Sequence, residues 1–137
     1  MRSIVLMLVL LLLGACATQS TRSRQTQLDE TLRAYAATIR WANFEQAQAF
    51  VDPKRLQENP PTALELSRYR QVQVTGYDAQ PPMPVSDSEV RLVVRIDLVN
   101  VNTQSARSVI DRQTWTWDEA AQRWWLASGL PDISRQD

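Results

Sequence analysis

Apolar residues recur at helical spacing in two stretches of the chain. Leu28, Leu32, Tyr35 and Ile39 make one stripe, and Phe44, Ala47, Phe50 and Val51 make a second. Asp29 and Glu30 stand near the start of the first, where the helix dipole favours negative charge, while Arg33 and Arg40 fall off the stripe. The spacing predicts an amphipathic helix from about Thr26 to Trp41. Asn43 with Gln46 three residues on resembles a capping box, so a second helix, or one long helix kinked near Ala42–Asn43, is expected next. Asp52–Pro53 ends it, because proline disfavours helix in the residue before it. From Pro53 to Ser67 the signals conflict. Pro60–Pro61 is a break, Leu56, Leu64 and Leu66 read as plugs under the core, and irregular chain with one helical turn at most is expected.

From Tyr69 the period switches to two. Val72 and Val74 alternate with Gln71, Gln73 and Thr75, and Gly76 permits a bulge or bend. The run Pro81-Pro82-Met83-Pro84 reads as a loop. The clearest strand follows: Val90, Leu92, Val94, Ile96 and Leu98 point one way, while Glu89, Arg91, Arg95 and Asp97 point the other. Asn100 to Ser105 suits a turn, a long strand is expected from about Arg107 to Trp117, and residues 118–122 turn the chain again into a last strand from Arg123 to Ser128. Consecutive strands on short turns form an antiparallel meander most simply, and an amphipathic helix must cover its apolar face. The expected class is α+β: N-terminal amphipathic helices packed on a curved antiparallel sheet of about four strands.

Ahead of these elements lies a different kind of segment. Arg2 is followed by an apolar run from Ile4 to Leu13 and then by Gly14, Ala15 and Cys16. This is the layout of a secretory signal. As a helix the run covers only about 15 Å, half of a bilayer core of about 30 Å, so it is short for a permanent span. Residues 17–27 read ATQSTRSRQTQ, without a large apolar side chain, which is the composition of a flexible tether. The expected organisation is a cleaved signal over 1–15, a tether over 16–27 and one α+β domain over 28–137.

Composition narrows the chemistry. The chain carries 15 Lys+Arg against 15 Asp+Glu, which argues against a nucleic-acid partner because that needs a basic stripe. It has no histidine and a single cysteine, which excludes the usual zinc sites and leaves no disulfide once Cys16 is used. No metal or cofactor is expected. Aspartate and tyrosine remain for acid/base work.

Leu13-Gly14-Ala15-Cys16 resembles the lipobox of bacterial lipoproteins. The resemblance implies cleavage between Ala15 and Cys16, a thioether-linked diacylglyceryl group on Cys16, and a further acyl chain on the new amino terminus. Ala17 stands where enteric inner-membrane lipoproteins carry aspartate, so the resemblance implies the outer membrane, at its periplasmic face. A thiolate is the nucleophile able to take the lipid, and two or three chains anchor far more firmly than one. The order of two helices, then about four antiparallel strands, with Trp115-Thr116-Trp117 facing Trp124-Trp125, resembles the nuclear-transport-factor-two-like, cystatin-like superfamily. That resemblance implies a sheet curled into a cone around the helices, with a pocket that some relatives use for catalysis and others for binding.

Tyr35, Trp41, Tyr69, Asp111, Gln113, Trp115 and Trp117 are the candidates to line such a pocket. On the second long strand Val109, Asp111, Gln113, Trp115 and Trp117 share a face, so two polar residues interrupt an apolar side. A buried carboxylate there would have the raised pKa that a general base needs. The alternative is that a bulge or edge returns Asp111 to water, or that Arg91, Arg95 or Arg107 pairs with it. Trp115 and Trp117 suit either core packing or a platform for sugar rings. Trp124 and Trp125 are adjacent, so one of them faces away from the core and offers a partner surface. The expectation is a non-enzymatic accessory module, held to the membrane by its lipid and bound to an envelope protein. The alternative is a binder of a small apolar or glycan ligand in the cone.

Overall fold

The structure, a computed structural model, describes residues 2–134, with side chains from Ser20 onward. The side chains of Leu13-Gly14-Ala15-Cys16 therefore lie outside the described residues. The fold is α+β, with helices first and a curled antiparallel sheet after them.

Helix α1 spans Arg2–Arg40. Its predicted stripe is the face that enters the core: Leu28, Tyr35 and Ile39 are buried and Leu32 packs against them. The helix starts earlier than the apolar pattern suggests, and the stretch expected as a flexible tether is helical. Arg24 lies four residues before Leu28, so it continues the same stripe, and its guanidinium sits 5.2 Å from the Trp117 ring centroid. At its C-terminal end α1 closes in a Schellman arrangement. Asn43 N–H donates to the Thr38 carbonyl at 3.1 Å, Ala42 N–H donates to Ile39 at 2.8 Å, and Ala42 takes φ 53°.

Helix α2 (Phe44–Ala47) is one turn long and runs into a 3-10 turn, Gln48–Phe50. Asn43 caps it as expected, accepting from Gln46 N–H at 3.1 Å, and the Gln46 side chain answers the Asn43 side-chain amide at 2.9 Å. The segment expected to be irregular holds two short helices instead, α3 (Pro53–Glu58) and α4 (Ala63–Tyr69). The preceding helical segment does end before Asp52-Pro53, and the same pair also starts the next helix: Asp52 caps Lys54 N–H, and proline fits the first turn, where no N–H is needed. Thr62 and Glu65 form a full capping box for α4. Leu64, expected under the core, is 59% exposed, whereas Leu56 and Leu66 do pack against the core.

The sheet contains five strands, β1 (Val72–Ala79), β2 (Met83–Ser86), β3 (Glu89–Asn100), β4 (Ala106–Asp118) and β5 (Arg123–Leu126). The main order is β1-β3-β4-β5, all antiparallel, with β2 also on β3. Two details differ from expectation. Met83-Pro84 is not loop but edge strand, where a missing N–H is tolerated. Residues 127–128 lie beyond β5, although Ala127 N–H still reaches the Thr114 carbonyl at 2.8 Å. Gly76 does mark a bulge, with the register against β3 shifting between Val74 and Gly76. A Cβ there would lie 2.5 Å from Asp97 Oδ2.

The inward residues of β3, Val90 to Leu98 at alternate positions, meet Val109, Trp115 and Leu126 from their neighbours and Tyr35, Ile39 and Phe44 from the helices. Tyr35 stands edge-on to Trp115, with centroids 5.3 Å apart, and Phe44 stacks on Tyr69 at 4.3 Å.

Candidate functional site

Two polar positions of β4 are buried. Asp111 is 8% exposed and Gln113 1%, the only polar or charged residues in the described core. Alternation on β4 points both toward α1. The Gln113 amide organises them: its Oε1 accepts from the Trp115 indole N–H at 3.0 Å, and its Nε2 donates to Asp111 Oδ2 at 2.8 Å and to Tyr77 Oη at 3.1 Å. Tyr77 reaches this network because the Gly76 bulge resets the alternation of β1, turning position 77 inward.

Asp111 has no arginine partner among the described residues. Arg91 pairs with Glu89 at 2.9 Å and Arg95 with Asp97 at 3.2 Å, both on the wet face, and Arg107 donates to the Ile133 carbonyl. Burial pushes the Asp111 carboxyl up from 3.8 to about 6, partly offset by the hydrogen bond from Gln113. Three phenols feel its charge. Tyr69 donates to the Pro131 carbonyl at 2.8 Å, and its pKa is pushed above the usual range, by burial first and by Glu65, Asp132 and Asp111 after. Burial also raises Tyr77, to about 12. Tyr35 is wholly buried and held well above its ordinary pKa by burial, then by Asp111; its hydroxyl is the buried side-chain group with no hydrogen-bond partner among the described residues.

The centre of the curled sheet is filled by Trp115 and Tyr35, but a cleft opens beside Asp111. It has a volume of about 460 Å³ between α3 and α4 on one side and β4 and residues 128–134 on the other. A second cleft of about 600 Å³ adjoins it, sharing Arg55, Glu65, Tyr69 and Leu130. Of the residues expected to line a pocket, only Tyr69 and Asp111 line the first cleft.

The other candidates go elsewhere. Trp115 is fully buried, as core packing requires. Trp117 and Trp124 pack on each other at 5.6 Å beside Arg24, whose backbone carbonyl accepts from the Trp124 indole at 3.0 Å and whose guanidinium pairs with Glu119. Glu119 also accepts from the Trp117 indole, the main cause of its lowered pKa. Trp125 faces outward, as one of the adjacent pair must, yet Arg123 covers its ring at 3.8 Å and Asp118 takes its N–H. Trp41 is the indole left to water, 86% exposed at the end of α1.

Sequence reading missed Tyr77, Arg24, Arg55 and Arg68. The bulge at Gly76 signalled the first and the i, i+4 relation to Leu28 the second; nothing local signalled the two arginines. Among the described residues no group of three His, Cys, Asp or Glu side chains could hold a metal, and no helix is long and apolar enough to cross a membrane. Compared with known proteins, the chain matches no family model, no curated protein and no solved structure.

Proposed function

We propose that this chain is a bacterial lipoprotein, cut between Ala15 and Cys16 and acylated on Cys16, whose domain is held at the periplasmic face of the outer membrane. It works there without catalysis, as a module that holds an envelope protein. The lipobox supports the anchor. Helices followed by a curled sheet support a cystatin-like cone related to the superfamily that the sequence resembles.

Trp41 is the observation that carries the interaction reading. An indole left in water forgoes about 2–3 kcal/mol of burial, yet this one is 86% exposed. Its backbone is not loose: the Schellman end of α1 fixes the chain on either side of it. A large aromatic side chain displayed from an ordered backbone is the kind of group that anchors protein interfaces. The filled centre of the sheet points the same way, since side chains already occupy the space a deep ligand would need.

The test is a photoreactive residue placed at position 41 of the anchored chain in living cells, with a control at Thr103 in the exposed β3–β4 turn. A discrete protein adduct from 41 and none from 103 is the expected result. The same ladder from both positions, or no adduct from 41, would sink the interaction reading.

A further inference from the structure

The cleft beside Asp111 holds a buried carboxylate that no cation among the described residues pairs with. At its floor lies the buried carboxylate of Asp111, whose one side-chain hydrogen bond comes from the neutral Gln113 amide. A carboxylate in that position is costly without a cation. On the helical wall stand Arg55 of α3 and Arg68 of α4, both exposed to solvent; neither forms an ion pair among the described residues, although Arg68 is near enough to Glu65 to help hold its carboxyl low. The cleft's other two carboxylates are engaged: Glu65 closes the capping box with Thr62, and Asp132 accepts from Ser134 N–H and Oγ. Tyr35, which does not line the cleft, feels the Asp111 charge, and its buried hydroxyl has no hydrogen-bond partner among the described residues.

A buried carboxylate short of a cation, facing a wall that carries two exposed guanidinium groups, fits one small ligand with both charges better than it fits an ordinary salt. We propose that this cleft binds a small zwitterion, a free amino acid or a short peptide, with its ammonium group against Asp111 and its carboxylate against Arg55 and Arg68. The ammonium replaces the cation that Asp111 lacks and has three donors to share. The guanidinium groups fork onto the carboxylate. The site is distinct from the Trp41 surface and does not depend on that surface having a partner.

The test uses the full lipidated protein in detergent, with binding read by calorimetry. Alanine, alanyl-alanine and trialanine serve as probes; they carry the same two charges at increasing separation, each longer by one alanyl residue, and they separate a free amino acid from a peptide. Saturable binding of at least one is expected. N-acetylation of that probe, which removes the ammonium, and amidation, which removes the carboxylate, are each expected to weaken it about tenfold or more. Asp111→Asn keeps the shape of the floor and should lose the preference for the free ammonium, while Arg55→Gln with Arg68→Gln should lose the preference for the carboxylate. Circular dichroism checks that the variants fold, and the N-acetyl and amide comparisons need no variant at all. No saturable binding by any of the three probes, or binding undiminished by N-acetylation, would overturn the proposal.

Discussion

The side-chain amide of Gln113 has one acceptor and two N–H groups, and the interior uses all of them, on Trp115, Asp111 and Tyr77. That satisfies the amide, but it gives Asp111 only a neutral partner. The consequence shows in pH. In the fold Asp111 titrates near 6, above its ordinary 3.8, so between those values the folded chain holds a proton that the unfolded chain has released. Stability from this group is therefore greatest below about pH 4 and falls as pH rises through 6, by roughly 3 kcal/mol across the window. Asp111→Asn removes that slope. Urea unfolding at pH 4.5 and 7.5 should show the wild type losing stability relative to the variant at the higher pH. Parallel changes in the two proteins would mean that Asp111 is not buried as a carboxylate. Engaged carboxylates behave in the opposite sense: Asp97, held low by Ser108 and Arg95, favours the fold at neutral pH.

At the scale of elements, α1 is the one that changed most between sequence and structure. Its N-terminal part was expected to be a free tether because residues 17–27 carry no large apolar group. Arg24 supplies a hydrocarbon stem and a charge instead, and it docks on Trp117 and Trp124. Replacing Trp124 with Phe keeps a smaller aromatic ring and removes the N–H that holds the Arg24 carbonyl. Loss of that hydrogen bond, about 1 kcal/mol, on top of the smaller core ring, should quicken amide exchange over residues 22–27 about fivefold or more, and by more than over β3. Equal rates in both proteins would mean that this stretch is not docked.

The strands were legible where alternation runs unbroken, as from Val90 to Leu98, and Asp111 and Gln113 were legible because they interrupt such a pattern. Tyr77 was not, because a one-residue bulge reverses every side chain after it. Thr62 and Glu65 spelled out a helix start, but Pro60–Pro61 masked it by looking like a break. Arg55 and Arg68 reach Asp111's cleft only because two short helices fold against the end of β4, a long-range arrangement that no local pattern encodes.

At the scale of the whole molecule, the proposed anchor would give context to a domain with balanced charge and no histidine. If Cys16 carries the proposed lipid, the eight residues to Arg24 cover about 12 Å as helix, far less than an extended tether would. The curled sheet would then ride close to the bilayer, with Trp41 at the far end of α1. Confinement of this kind raises the effective concentration of a surface-bound partner without any new contact. The reading turns on the lipid. Labelling cells with a radioactive fatty acid, in the wild type and in Cys16→Ala, tests it most directly. Label on the wild-type protein and none on the variant, which keeps its uncut leader, is the predicted result. Label retained by Cys16→Ala, or absent from the wild type, would contradict it.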